Sequence, residues 1–449
     1  MCCSQRRQTF PLVLSLLLLA TAPPDPRFGV VESPEAPERA AELGIAWTRV
    51  RFAWNEIQPN SPEDWNPPWP AERLEAERQA GREIAALVIG TPVWARADPQ
   101  IPGVPRGLYE EESRPENLWA AFLRRMAATY PYIRTWIIWN EPDIWDPAYP
   151  GYTWGGTEAD FVRLLRVAYR TLKGLNRQNR VLLGAFTYWW DAAYGRRPYF
   201  ERFLEALDRD PEAFRHNRYF DGLCVNLYFN PDSLYDLIRW HRNRMRMRGF
   251  DKPIWLTETN AAPSEDPTWP VPHAMFRVSM EEQAAFIGQA LALALAAGVE
   301  RLAIYKLIDN AGDRLANPEP FGLVREDGSP RPAFQAYRVA IQVLAGFRRA
   351  RLVRRDLVTV VEVQKPNARV WIAWSRTPLS QTVILERRGR LQSAVDGMGN
   401  AASVESAASY YRVKLPGALC QQPMGTHCMI GGMPVYILES TTHSIRETR

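Results

Sequence analysis

The run Ile133-Arg134-Thr135-Trp136-Ile137-Ile138-Trp139-Asn140-Glu141-Pro142-Asp143-Ile144-Trp145 decides how the rest of the chain is read. Its centre, Trp136 to Trp139, is β-branched and aromatic, and it stops at Asn140-Glu141-Pro142. A short apolar run bounded by a turn signal predicts a strand buried on both faces. Pro142 has no N–H with which to continue a ladder. Glu141 is therefore expected at the C-terminal tip of a buried strand, where an ionisable side chain is costly unless it has a partner or a task.

Working outward, Lys252 to Asn260 has the same shape: a short apolar run, Ile254-Trp255-Leu256, that ends at Thr257-Glu258. Glu258 lies 117 residues beyond Glu141. That is the length of about three strand–helix units at roughly 30–40 residues each.

The flanking chain alternates in the same way. Apolar runs predict strands at Phe28–Val31, Ile45–Phe52, Ile84–Gly90, Val181–Phe186, Phe220–Tyr228 and Arg301–Leu307. Between them, 3.6-residue periodicity and turn signals predict helices at Pro34–Leu43, Ala71–Gly81, Glu116–Thr129, Glu158–Leu175, Tyr199–Leu207, Ser233–Arg248 and Glu281–Ala297. A last helix, Pro332–Leu344, would close the set. Eight strands with intervening helices predict an α/β fold, a (β/α)8 barrel over residues 28–347. Residues 351–440 change pattern. Leu357–Val363, Val370–Trp374, Thr382–Leu385 and Pro434–Leu438 are short strands separated by turns, which predicts a small antiparallel β-sandwich-like domain. Its Trp371 and Trp374 sit on a strand whose alternation puts neither clearly outside, so a structural buttress is the simplest reading of this domain.

Composition narrows the function classes. The 449 residues are 46% hydrophobic and carry a net charge of +5 with only 5 His. Acidic and basic residues are interspersed and no basic stripe occurs, so nucleic acid is not an indicated partner. The densest cluster, His241 to Arg248, reads as a solvated helix face. No His/Cys spacing suggests a metal, and no cofactor is implied. Of 17 Trp, 15 lie between Trp47 and Trp269. Aromatic faces stack on sugar rings, although any one Trp is as readily explained by core packing.

Arg6 and Arg7, the apolar stretch Thr9 to Ala20 and the small-x-small Ala20-Thr21-Ala22 form the three regions of a secretory leader over residues 1–22. A secreted or extracytoplasmic protein with no stable membrane insertion after processing is the expectation. Its oligomeric state is not legible. Cys420 and Cys428 flank a turn-like loop and would be able to pair in an exported protein. Cys224, inside an apolar strand, reads as an inert core thiol.

Trp139-Asn140-Glu141-Pro142 at a fourth strand, with Thr257-Glu258 at a seventh, resembles the retaining glycoside hydrolases of clan A, closest to families 39 and 5. Gly44, Arg49 and Trp54 also match the clan's second-strand spacing. The resemblance covers the barrel and implies a carbohydrate substrate cleaved at β-linked O-glycosidic bonds. It implies that Glu141 is the general acid/base and Glu258 the nucleophile. Asn140 would contact the sugar 2-hydroxyl, Arg49 would pair with Glu258, and Tyr228 would touch Glu258. Trp54, Trp94 and Trp145 are the candidate sugar-contacting rings. One position departs from the pattern: many clan members carry His two residues before the sixth-strand Tyr, and this chain has Asn226.

Chemistry agrees with these roles. The acid must be protonated near neutral pH, which an apolar wall such as Trp139 and Trp145 encourages, and the nucleophile must be ionised, which a nearby guanidinium favours. A retaining pair is expected about 5–5.5 Å apart. Three alternatives stay open: structural ion pairs for the individual glutamates, a catalytically silent carbohydrate-binding barrel, and a transglycosylase with the same residues. Lys306, near the eighth strand tip, is expected to snorkel from the barrel rim to water.

Overall fold

The computed structural model describes residues 23–313 and 318–441. The leader expected over residues 1–22 lies outside the described residues. Among the described residues, no helix is long and apolar enough to cross a membrane.

Eight parallel strands close into a barrel in sequence order, with the first paired to the second and to the eighth. They are β1 (Phe28–Val31), β2 (Trp47–Ala53), β3 (Glu83–Ile89), β4 (Thr135–Asn140), β5 (Arg180–Phe186), β6 (Gly222–Asn226), β7 (Ile254–Thr259) and β8 (Arg301–Ile304). The main crossover helices are α1 (Pro37–Leu43), α2 (Ala71–Gln79), α3 (Leu118–Thr129), α4 (Glu158–Leu175), α5 (Tyr199–Asp208), α6 (Pro231–Arg246) and α7 (Met280–Ala296), and α8 (Pro332–Leu344) follows β8. The third helix begins at Leu118 rather than Glu116, because the Asn117 side chain accepts from the Ala120 N–H and caps it there. Thr157 and Ser279 form full capping boxes at α4 and α7.

Alternation along each strand separates two apolar compartments. The lumen holds Val31, Trp47, Ala85, Leu87, Ile137, Leu182, Cys224, Trp255 and Ala303. Trp47 and Trp255 pack at 5.0 Å between ring centroids and fill its N-terminal end. A Cβ on Gly29 would lie 2.4 Å from the Trp47 ring, so β1 must carry glycine there. The opposite faces of the strands pack on the helices in a larger cluster that includes Val50, Phe52, Trp136, Ile138 and Leu256.

Downstream of the barrel, ten further strands form antiparallel sheets. A five-stranded sheet contains β9 (Arg349–Arg355), β10 (Val358–Gln364), β11 (Ala368–Ser375), β13 (Arg390–Asp396) and β18 (Val435–Ser440). A three-stranded sheet of β12 (Gln381–Glu386), β14 (Val404–Ser406) and β15 (Tyr410–Leu415) faces it, and β16 (Pro423–Met424) pairs with β17 (His427–Cys428). On β11, Val370, Ile372 and Trp374 join the barrel-side core, while Trp371 and Ala373 lie between the two sheets. Both Trp are therefore buried. α7 is buried along most of its length, and Gln289 ties it to the sheet region through the Gly432 carbonyl (3.0 Å) and the Gly431 N–H (3.1 Å). Cys420 and Cys428 form a disulfide, and Cys224 is a buried free thiol.

Sequence periodicity found four of these ten strands. β9 escaped because it is an Arg-rich edge strand with little apolar signal, as edge strands often are. β15 was missed as well, although Tyr411, Val413 and Leu415 alternate inward and carry the period-2 signal. Trp47→Ala should lower stability by about 3–5 kcal/mol through the lumen cavity it leaves; urea unfolding of both proteins measures it.

Candidate active site

Four strand tips deliver the polar side chains of the barrel mouth, and three of them do so through irregular backbone. On β4, Ile138 and Asn140 keep their pairing with Leu183 and Ala185, but Trp139 turns to φ 70° and Glu141 to φ 47°. Bulky residues seldom adopt this left-handed region, and such conformations concentrate at functional sites. The turn points the Trp139 carbonyl at β5, where a Cβ on Gly184 would lie 2.3 Å from it. Only glycine fits at residue 184. The Trp139 ring packs among the helices against Trp119 and Trp154, which leaves Asn140 and Glu141 for the mouth.

Between β6 and β7 the register slips by one residue: Val225 pairs with Leu256, and Asn226 with Glu258. Thr257 is the extra residue. Such a bulge re-aims the side chain that follows. Thr257 Oγ1 donates to Asn226 Oδ1 (2.9 Å), and Glu258 turns toward Arg49.

The result is two adjoining polar groups. Arg49 Nη1 lies 2.5 Å from Glu258 Oε1, and both side chains are almost fully buried. The Tyr228 hydroxyl donates to Glu258 Oε2. Asn226 Nδ2 donates to Glu141 Oε1 (2.7 Å) and to Asn140 Oδ1 (3.1 Å). The structure thus brings together Arg49, Asn140, Glu141, Tyr228 and Glu258. Asn226, where the clan pattern has His, holds Asn140 and Glu141 and is itself held by Thr257, the residue before Glu258.

The electrostatics of the two carboxyls differ. Burial pushes the Glu141 carboxyl up to about 8; the nearby Glu258 charge adds to this, and the Asn226 hydrogen bond only partly offsets it. Glu258 instead has a guanidinium on one oxygen and a hydroxyl on the other. Burial opposes the charge on Arg49, but the carboxylates of Glu258 and Glu32 outweigh it, and its pKa is raised. Burial and the Glu258 charge raise Tyr228 well above the ordinary phenol range, so it remains a donor. Asp143 accepts from Thr187 N–H (2.8 Å), Thr187 hydroxyl (2.9 Å) and Tyr188 N–H (2.9 Å), and so ties the loop after β4 to the loop after β5.

The three Trp candidates fare differently. Trp54 is 0% exposed, stacked at 4.9 Å on Phe122 with its Nε1 on Gln58, so it is core and has no face for a sugar. A short helical turn, Trp54–Ile57, directs it toward α3 and away from the mouth. Trp94 is half-buried against Trp54. Trp145 is half-buried, with Arg196 over its ring at 4.6 Å and Nε1 on the Trp190 carbonyl. Tyr149 belongs to the aromatic loop after β4, Asp143 to Gly156, which the sequence offers as a wall for a sugar. It is 48% exposed, packs at 4.6 Å on Trp190, and its phenol is raised by burial and then by the charge of Glu141, which puts it at the edge of the cleft.

Lys306 does not snorkel. It is 3% exposed and pairs with Glu32 (3.2 Å), Glu35 (3.3 Å) and Asp313 (3.2 Å). The Glu35 carboxyl is pushed up to about 7 by burial, which Lys306 only partly offsets. The chain after β8 folds inward over β1, which a linear reading cannot foresee. Among the described residues no cluster of His, Cys, Asp and Glu is arranged to hold a metal.

No family model matches the sequence, and no curated protein matches it. Solved structures do. A family 39 glycoside hydrolase from the gut symbiont Bacteroides cellulosilyticus WH2 superposes with a TM-score of 0.64 at 16% identity, over 92% of this chain and 81% of that one. The catalytic domain of the GH30 xylanase C from Talaromyces cellulolyticus gives 0.59 at 15% identity, over 93% and 96%. A monomeric β-xylosidase from Caulobacter crescentus CB15 gives 0.55 at 16% identity, over 92% and 96%. At these identities the likeness is one of fold: a parallel eight-stranded barrel with an antiparallel sheet region at its C-terminal end.

The raised Glu141 carboxyl has a consequence for stability. A carboxyl whose folded pKa lies above its unfolded value binds its proton more tightly when folded. Its contribution is complete below about 4.5 and is lost as pH rises through about 8. Glu141→Gln should therefore flatten the decline of stability between those pH values, read from urea unfolding at a series of pH.

Proposed function

We propose that this chain is a retaining glycoside hydrolase that cleaves β-linked O-glycosidic bonds in oligo- or polysaccharides by double displacement, exported by the leader at residues 1–22. The observation that carries the reading is a pair of unlike carboxyls at one barrel mouth. Glu141 holds its proton near neutral pH, while Glu258 presents two oxygens already engaged by cationic and hydroxyl donors. Pairs of carboxyls driven apart by their surroundings are how one site performs acid and base chemistry at a single pH.

In the first displacement Glu258 attacks the anomeric carbon while Glu141 gives its proton to the leaving glycosidic oxygen. A covalent glycosyl ester on Glu258 results. In the second, Glu141, now ionised, takes a proton from water, and that water attacks the same carbon and releases Glu258. Asn140 uses its Oδ1 on Asn226, so its Nδ2 is available to hold a sugar hydroxyl beside the reacting carbon. Tyr228 and Arg49 steady Glu258 and take back its charge when the ester breaks.

Because the first displacement needs protonated Glu141, turnover should fall as pH rises past about 8. Glu141→Gln should cost roughly 10²–10⁴-fold on substrates with poor leaving groups. Glu258→Ala should abolish turnover, and azide should restore cleavage and yield a glycosyl azide of inverted configuration. A panel of aryl β-glycosides and β-linked polysaccharides reads all three proteins. Full activity in Glu258→Ala would remove the assignment.

A further inference from the structure

At the barrel mouth a cavity of about 290 Å3 lies between the tips of β2 and β3 and the loop after β4. Arg51, Asn55, Thr91, Arg96, Tyr152 and Thr153 line it. It opens at the same end of the barrel as the carboxyl pair, where β2, β3 and β4 run out. Arg51 lies two residues beyond Arg49 on the lumen-facing side of β2, one layer nearer the opening.

The two arginines are not equivalent. Arg51 is already neutralised by Glu56 through a two-pronged contact, Nη1 to Oε2 at 3.0 Å and Nη2 to Oε1 at 2.6 Å. Arg96 has no carboxylate partner among the described residues. It spends Nε on the Thr91 carbonyl (3.1 Å) and Nη1 on the Pro99 carbonyl (3.2 Å), which leaves Nη2 without an acceptor. Its charge is partly stripped of water with nothing opposite it, and burial alone lowers its pKa. Among the described residues most other arginines are matched to acids, so an unmatched guanidinium lining a cavity at the barrel mouth suits an anion from outside. Its planar fork fits a carboxylate in particular. The surroundings suit a sugar. The Asn55 side chain makes no hydrogen bond among the described residues and is free for hydroxyls, and the Tyr152 ring offers a wall. At Gly90 a Cβ would lie 2.3 Å from Asn55 Oδ1, so glycine is what allows Asn55 its place.

We propose that this cavity is a subsite for a carboxylated sugar residue, a uronic acid carried by the glycan substrate, with Arg96 as the group that recognises the carboxylate. The proposal rests on the glycosidase reading for its glycan. The binding test below does not involve turnover, so failure of one is distinguishable from failure of the other.

The full chain is titrated with methyl β-glucuronide, with methyl β-glucoside and with inorganic sulfate, by calorimetry or ligand-observed NMR. The glucuronide should bind at least about tenfold more tightly than the glucoside, the range for a hydrogen-bonded charged pair. Arg96→Gln should erase that preference while leaving the thermal midpoint close to that of the parent. Glu56→Gln, a substitution at an exposed position, frees Arg51 and should strengthen glucuronide binding without touching Arg96. Equal binding of the two glycosides would overturn the proposal, as would a preference that survives Arg96→Gln. Sulfate bound as tightly as the glucuronide would also overturn it, by marking an anion site with no sugar recognition.

Discussion

Inside the barrel mouth, the guanidinium of Arg49 and the carboxylate of Glu258 meet at 2.5 Å with almost no access to water. Removing two charges from water costs several kcal/mol per ion, and their attraction repays this only when geometry is good and the remaining polar atoms are satisfied. The surroundings meet that condition on the Glu258 side, where Tyr228 fills the second oxygen and is itself held by Tyr305 and Phe321. Loss of either partner would leave a buried, uncompensated charge. Arg49 therefore has a structural consequence as large as any chemical one, and the neighbouring carboxyl, Glu141, raised first by its own burial, is raised further by the Glu258 charge within its reach.

A regular parallel barrel would not bring these groups together. Side chains alternate strictly along an unbroken strand, so Thr257 and Glu258 would face opposite ways. The bulge at Thr257 lets both reach the site, Thr257 through Asn226 and Glu258 through Arg49. The left-handed turn at Trp139 does the corresponding job on β4, with Gly184 opposite to make room. Regular pairing in the lower barrel, packed around Trp47 and Trp255, supplies the rigidity against which this irregular upper layer is held. Below the sheet region, α7 presents Ala and Gly at close range, where Gly288 leaves space for the Tyr436 hydroxyl.

The sequence by itself determined the barrel, because strand–helix alternation is repeated eight times and each unit carries its own periodicity. It also determined which glutamates stand at strand tips, because a buried apolar run that ends in Glu leaves few other readings, and the resemblance it carries pointed Arg49 at Glu258. What only the tertiary structure decided are the properties that depend on groups far apart in the chain. Trp54 reads as a cleft aromatic and is core, because the turn after β2 delivers it to α3. Lys306 reads as a rim lysine and is enclosed by three carboxylates, because the segments after β1 and β8 converge. Asn226 reads as a departure from pattern and is the bridge to Glu141, because a one-residue slip brings β6 and β7 into a new register. Periodicity is a local signal, whereas charge compensation and ring burial are set by neighbours that the chain brings together only when it closes.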